Sequence, residues 1–302
     1  MFDVCIIGPI TRDIIRTQGV APRIMPGGSV YYAGVAYRRL GLGTAAITRA
    51  SRRDADELLQ GLHKLGIKTR FLNGGNTTVF ENCYTGCNQE VREQTVTSIT
   101  KPFTESDLGD LTAKVFHLGP LTACDMSPDF LKAVMRRGAR VCLDVQGFMR
   151  LVVDGKVRPT DWVDKRKGLG LIDVLKADLK EAQLLSGHED PHEAAHVIAE
   201  LGPREVIVTL GHQGSLVFGN NWFYRIPIFT PHQVVDTTGC GDTYFAGYIS
   251  RRLQGDDIKT AAYFAAALAT LKLERYGPFS GTEREVQTML EGVIGWRSEN
   301  RR

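Results

Sequence analysis

Short apolar runs rich in β-branched residues recur along this chain, and segments with helical spacing separate most of them. The runs are "FDVCIIG" (2–8), "TAAITRA" (44–50), "KVFHLG" (114–119), "RVCLDVQ" (140–146), "LIDVLKA" (171–177) and "EVIVTLG" (205–211). Small and apolar residues at helical spacing predict helices over 29–41, 54–66 and 127–138. The last of these opens on Ser-Pro, an N-cap followed by a first-turn proline, and closes on Gly. Strand, helix, strand, repeated, builds βαβ units. The expected fold is a three-layer α/β/α arrangement, with helices on both faces of a mostly parallel sheet.

Two regions break this rhythm. Residues 77–99, "TTVFENCYTGCNQEVREQTVTSI", hold two alternating β-branched runs around a Gly- and Asn-containing turn. No helix intervenes, which predicts an antiparallel hairpin and a small sheet beside the main one. Residues 214–227 predict a second hairpin turning at Asn220–Asn221. After residue 242 the pattern is helical, over "TYFAGYISRRL", "DDIKTAAYFAAALATLKLE" and "TEREVQTMLEGVIGW". No linker or repeat interrupts the chain, so residues 1–302 are expected to form a single domain.

The bulk properties exclude several function classes. The chain is 43% hydrophobic and 24% charged, the profile of a soluble globular protein. A net charge of +3 with scattered arginines is too mild for a nucleic-acid partner. The basic end "RSENRR" reads as a frayed tail. No apolar run reaches the roughly 18–20 residues of a membrane span. Asp3 and the missing basic segment argue against a signal peptide. The six cysteines lie mostly in apolar, strand-like segments, as in a reduced, cytoplasmic protein. Cys83 and Cys87 form a lone C-x3-C pair, short of the four ligands of a structural zinc.

One stretch suggests a different chemistry. "HEAAH" (192–196) fits H-E-x-x-H, in which two histidines on one helix face hold zinc and the Glu acts as base. On a helix starting at Pro191, His196 lies at about 40° from His192, while Ala194, Val197, Ile198 and Leu201 cluster near about 140–240°. The histidines thus sit opposite the apolar stripe and face solvent, where a dry catalytic zinc site cannot form.

The segment "VVDTTGCGDTYFAGYI" (234–249) carries more chemistry. It starts on a β-rich run and ends in an apolar helix, with Gly-Cys-Gly-Asp between. Gly239 and Gly241 let backbone N–H groups converge at the helix N-terminus, an anion site. Asp242 falls in the first turn, facing the same anion. A carboxylate there makes sense if it takes a proton from a hydroxyl that attacks a phosphate. Helix capping uses the same residue types, so the pattern alone admits both readings.

"DTTGCGDTYFAGY" resembles the C-terminal signature of the ribokinase-like (PfkB) carbohydrate kinases, and other motifs follow in that family's order. "PGGSVYYAGVAYRRLG" (26–41) resembles the di-glycine motif and its helix. Asp13 matches the sugar-binding Asp. "LKADLKEAQLL" (175–185) resembles the K-x-N-x-x-E segment, with Asp178 in place of Asn and Glu181 at the Glu. "VTLGHQGSLV" (208–217) resembles the T-x-G-x-x-G nucleotide segment. The resemblance covers residues 2–280 and implies an α/β sandwich with a small β-lid, in which both hairpins are expected. That lid is expected mainly from residues 68–100, with part of segment 9–26. It also implies a homodimer through the lid as one mode of assembly.

The activity so implied is ATP-dependent phosphorylation of a hydroxyl on a small sugar or cyclitol. Such chemistry asks mainly for positioning and charge stabilisation. Asp242 would be the general base, with the N–H groups of Gly239, Cys240 and Gly241 as the anion hole. Cys240 stands where Ala or Gly is common, and its thiol at a helix N-terminus would be open to oxidation if accessible. Glu181 and Asp178 would orient hydrated Mg²⁺, Glu181 through water. Thr209, Gly211 and Gly214 would lie along the nucleotide. Asp13, Gly27 and Gly28 match acceptor contacts. Tyr32 replaces a frequent Asn, which departs from ribose and adenosine kinases. "DVQGFMR" (144–150) and "TTVFENCY" (77–84) resemble the inositol-kinase subgroup, adding Gln146, Arg150, Glu81 and Asn82 as acceptor candidates. Two alternatives stay open. A nucleoside kinase of the same fold would stack its base on Tyr31, Tyr32 or Phe80. A catalytically silent sugar-binding regulator would not need an intact Asp242.

Overall fold

The computed structural model describes residues 1–85, other than 18 and 20, and 91–292. In chain order the elements are β1 (Phe2–Ile7), β2 (Thr11–Thr17), β3 (Arg23–Gly27), α1 (Ser29–Arg39), β4 (Thr44–Ala50), α2 (Ala55–Lys64), β5 (Lys68–Asn73), β6 (Thr78–Thr85), β7 (Val91–Ser98) and β8 (Ala113–Leu118). Then come α3 (Pro128–Met135), β9 (Arg140–Asp144), β10 (Arg150–Val153), β11 (Lys156–Pro159), α4 (Lys165–Leu169), β12 (Val174–Asp178), α5 (Leu179–Ser186) and α6 (Pro191–Glu200). The chain ends with β13 (Glu205–Thr209), β14 (Ser215–Gly219), β15 (Trp222–Ile226), α7 (Cys240–Leu253), α8 (Ile258–Leu273) and α9 (Glu283–Glu291).

Among the described residues, nine strands form one sheet in the order β15-β14-β13-β12-β9-β8-β1-β4-β5. All neighbours are parallel except the β13-β14-β15 meander at one edge. Strands of such a sheet are covered on both faces, which explains their nearly unbroken apolar runs. Side-chain alternation divides the core in two. Val4 and Ile6 of β1 pack with α1, α7 and α8 on one face. Cys5 and Ile7 pack with α3, α5 and α6 on the other. Each fully buried Val, Leu, Ile or Phe contributes about 1.5–3 kcal/mol, so a one-residue slip of β1 would exchange both sets.

Six strands form a smaller sheet in the order β10-β11-β7-β6-β2-β3. The hairpin read in residues 77–99 is β6–β7, with paired residues from Val79–Ser98 to Thr85–Val91. Two expectations need correction. Residues 68–73 do not join this sheet: as β5 they are the edge strand of the large one, parallel to β4. The 214–227 hairpin also belongs to the large sheet, where it turns through Asn220 (φ 53°) and Asn221 (φ 63°). Positive φ at both positions is the two-residue turn whose twist suits a hairpin, and Asn tolerates it. The C-x3-C pair is only half visible, because Cys87 lies outside the described residues, as do the "RSENRR" end and the helix expected beyond residue 292. No helix among the described residues is long and apolar enough to cross a membrane.

HEAAH lies on α6, where the Asp190 carboxylate accepts the N–H groups of His192 and Glu193 and caps the helix. Ala194, Ala195 and Ile198 are buried, while the side chains of His192 and His196 are 49% and 50% exposed. Their rings meet Phe223 and Phe218 edge-on, at 5.1 and 5.6 Å between centroids. The two histidines are thus partners of the meander's aromatic residues. Replacing both by Ala should cost about 1 kcal/mol or less in denaturant unfolding and leave turnover unchanged. A loss of turnover would restore a chemical role to this helix.

Candidate active site

The C-terminal ends of the parallel strands converge on one side of the large sheet, where open α/β folds place their ligands. β1 leads there through Gly8-Pro9-Ile10 into β2, which carries Asp13. β9 ends at Asp144, β12 passes Lys176 and ends at Asp178, and β13 ends at Thr209. The start of α7 closes the arrangement.

Two cavities meet at that helix start. The smaller, about 180 Å³, is bordered by Asp13, Tyr32, Gln146, Arg150, Gly239 and Asp242. The larger, about 560 Å³, is bordered by Thr209, Gly211, Gly214, Cys240 and apolar side chains such as Phe229 and Val234. Thr237 and Gly241 border both. The turn before α7 is therefore a common wall. Gly239 caps the helix in a left-handed conformation (φ 73°), and a Cβ there would fall 2.2 Å from the Tyr32 ring. Only glycine meets both conditions. Gly241, at the second helical position, carries one of the N–H groups that a helix leaves without an internal partner. Cys240 departs from the expected anion hole: its N–H closes the turn onto the Thr237 carbonyl at 3.2 Å. Burial pushes its thiol up to about 11, and Sγ lies 3.8 Å from the Asp236 carbonyl. The reactive thiolate expected of a helix N-terminus is thus suppressed by desolvation.

Asp242 sits on the small-cavity side of this wall. Burial and the neighbouring Asp144 raise its carboxyl above the ordinary range, against hydrogen bonding from Ser29 and the charges of Lys176 and Arg150. A base so raised is closer to the acidity of the proton it would take. Lys176 is buried, and its ammonium donates to Asp144 at 2.8 Å. Burial alone would lower Lys176, but Asp144, Glu181 and Asp242 outweigh it and hold the ammonium above its usual value. A Cβ on Gly241 would lie 3.0 Å from the Lys176 Nζ. The ammonium therefore flanks the turn where an anion would sit.

Asp178 and Glu181 border neither cavity. They form a capping box on α5: Asp178 Oδ1 accepts the Glu181 N–H and Glu181 Oε2 accepts the Asp178 N–H, both at 2.8 Å. Burial pushes Glu181 up to about 7, against the pull of Lys176. Among the described residues no three His, Cys, Asp or Glu side chains could jointly hold a metal. Mg²⁺ takes one or two carboxylates and fills its shell with water and phosphate oxygens. Each residue of the box keeps a second carboxylate oxygen, so the pair fits that ion.

Around the small cavity, Asp13 is buried and accepts the Thr11 hydroxyl at 2.7 Å. Gly27 does not border the cavity. It makes room for Asp13, since a Cβ at Gly27 would fall 2.2 Å from Asp13 Oδ2. Gly28 caps α1 and borders the cavity. Tyr32 is buried, and its hydroxyl has no hydrogen-bond partner among the described residues. Of the aromatic candidates, Tyr32 and Phe80 border the cavity and Tyr31 does not. Glu81 is held by Arg16, and Asn82 accepts the Gln94 amide at 2.9 Å. Gln94 itself borders the cavity.

The sequence matches the description of the pfkB family carbohydrate kinases over residues 1–284. The chain belongs to that family. A cytidine kinase of Thermococcus kodakarensis is 24% identical over 288 residues, covering 93% of this chain and 100% of the relative. A ribokinase of Arabidopsis thaliana is 33% identical over 153 residues, 48% of this chain and 37% of that one. A pyrophosphate-dependent kinase in the ribokinase family, complexed with a pyrophosphate analog and myo-inositol, superposes with a TM-score of 0.85 at 29% identity. That match covers 94% of this chain and 99% of the other. The structure of Arabidopsis thaliana ribokinase complexed with ribose and ATP superposes at 0.77 with 21% identity, covering 97% and 99%. This pfkB kinase is accordingly a phosphotransferase of the sugar and nucleoside kinase class.

Sequence reasoning about this kinase missed Lys176, Asp144, Ser29 and Gln94. Lys176 was legible as the first residue of "KADLKE", and Ser29 as the residue after Gly-Gly. Asp144 was legible as the first residue of "DVQGFMR", and nothing local marked Gln94. Lys176→Met would leave Asp144 buried without its cation and should cost about 3–5 kcal/mol in denaturant unfolding. Adding Asp144→Leu should recover most of that stability but not the activity. Recovery of turnover in the double variant would make the pair purely structural.

Proposed function

We propose that this kinase transfers the terminal phosphoryl group of ATP to a hydroxyl of a small polyol, a sugar or cyclitol. The observation that carries the reading is the shared wall. Asp242 borders the small polar cavity, and one residue earlier Gly241 borders the large apolar one. A hydroxyl in the first cavity and a phosphate chain from the second would meet at this turn. Asp242 takes the hydroxyl proton. The Gly239 and Gly241 N–H groups, with Lys176, stabilise the charge of the group in transit. Asp178 and Glu181 would hold the Mg²⁺ that accompanies ATP, an ion that supplies charge neutralisation at the donor phosphates.

Polarity and size favour a polyol acceptor. The cavity of about 180 Å³ is walled by Asp13, Gln94, Gln146 and Arg150, and is smaller than the roughly 300 Å³ where drug-sized sites begin. A nucleoside would need apolar surface for its base, supplied among the described residues only by Tyr32, Phe80 and Leu121. The myo-inositol and ribose complexes of the neighbours support the same class. Asp13 on β2, Phe80 on β6 and Gln94 on β7 bring the small sheet to this cavity, so we assign it the role of a lid. The donor is chosen by the other cavity. Pyrophosphate has no apolar part to fill about 560 Å³ beside Phe229 and Val234, whereas a nucleotide base and ribose do.

ADP and phosphate release should be measured with ATP and with pyrophosphate across a panel of cyclitols, sugars and nucleosides. ATP with one polyol class is the expected pairing, and pyrophosphate as the better donor would overturn the donor assignment. Asp242→Asn should lower kcat on the order of 10²–10⁴-fold with ATP binding retained. Near-normal turnover in that variant would remove the base. The acid limb of kcat should lie above the ordinary carboxylate range, because the base works ionised and burial raises it. Asp144→Asn removes a charge that raises Asp242, so the limb should move to lower pH. A limb that stays put would place the titrating group elsewhere.

A further inference from the structure

We propose that Lys272 is a positioning residue that sets the donor-phosphate turn from behind. The inference rests on the kinase reading above. Lys272 stands in the last turn of α8 and borders neither cavity, yet it is among the largest fully buried side chains of the protein. Lysine is almost never fully buried unless paired. Among the described residues its hydrogen-bonding and ionic partner is Asp236. The ammonium donates to the Asp236 carbonyl at 2.6 Å and lies 3.2 Å from Asp236 Oδ2. It also lies 5.8 Å from the centroid of the Tyr32 ring.

Asp236 opens the segment that leads into Gly239–Gly241. Its carboxylate accepts the N–H groups of Thr238 (2.9 Å) and Gly277 (3.1 Å). The Val235 and Asp236 N–H groups both donate to the Leu273 carbonyl, at 2.9 and 3.1 Å. The end of α8 thus grips residues 235–238 from one side. The bond to the Asp236 carbonyl is the decisive one. A trans peptide is planar, so fixing that carbonyl toward Lys272 fixes the Thr237 N–H in the opposite direction. Thr237 borders both cavities, and its own carbonyl accepts the Cys240 N–H. Lys272 therefore acts on the wall through one peptide plane and adds a buried positive charge behind it. A buried ion pair seldom exceeds an apolar replacement in stability, so stability alone does not account for it.

The test separates donor handling from folding. In Lys272→Met, the KM for the donor should rise about tenfold or more and kcat should fall, while the acceptor KM stays within about twofold. Ammonium or methylammonium should restore part of the turnover of Lys272→Ala, and tetramethylammonium should not. Unchanged donor KM and kcat, or equal loss toward donor and acceptor with no amine rescue, would overturn the proposal. Thermal unfolding of both variants shows whether they fold, and if Lys272→Ala does not, Asp236→Asn is read for the same donor-against-acceptor split. Should the wild-type protein turn over no acceptor at all, the kinase reading fails on its own. Calorimetry with pyrophosphate then decides: weaker binding by Lys272→Met sustains the positioning role, and equal binding ends it.

Discussion

Three carboxylates share one buried ammonium, and the site depends on that imbalance. Lys176 projects from β12 between Asp144 at the end of β9, Glu181 in the first turn of α5 and Asp242 in the first turn of α7. Each carboxylate comes from a different element: the ammonium hydrogen-bonds Asp144 across the paired strands and feels the charge of Glu181 and Asp242 at two helix starts. Charges in such surroundings are costly unless paired and hydrogen-bonded. One cation cannot neutralise three anions. Burial first, and the unmatched negative charge after it, raise the proton affinity of Asp242 and Glu181, and those are the groups for which a proton or a metal would compete. Structural pairing and chemical readiness thus come from the same unbalanced cluster.

The large sheet was legible because its physics is local. Apolar runs covered on both faces, helical spacing between them and glycine stops all lie within a few residues of one another in sequence. The small sheet was legible only in part. β6–β7 announced itself by alternation. β10–β11 did not, although Asp154–Gly155 (φ 51° and 73°) is the dipeptide that suits a two-residue hairpin turn. Its strands are short and follow directly on the segment read for acceptor contacts. Residues 68–73 were assigned to the wrong sheet because a strand carries no mark of its partner. β5 reads as a strand either way, and the choice was made by the helix before it.

The site divided along similar lines. Gly239, Gly241 and Asp242 are contiguous, so one glance at the sequence finds them. Asp144 and Lys176 are 32 residues apart and meet only across paired strands. The acidic pair at 178 and 181 was read as chemistry, and its two carboxylates also cap α5. Both uses fit one geometry, since a capping box consumes one oxygen of each. Cys240 shows the opposite case, a local rule overruled. A helix N-terminus favours a thiolate, but desolvation raises this half-buried thiol, whose Sγ lies 3.9 Å from the Ala269 carbonyl of α8.

The wall between the two cavities is main chain and little else. Gly239 and Gly241 contribute no side chain to it, and Thr237 and Gly241 are the residues that both cavities share. On the proposed function, the residues that would distinguish one acceptor from another line the small cavity, on β-strands, turns and α1. Those that would distinguish one donor from another line the large one, around Thr209, Gly214 and the face of α8. The two specificities are therefore separable inheritances. A lineage can rewrite one pocket by point substitution while the partition, and the chemistry at its edge, pass unchanged to its descendants.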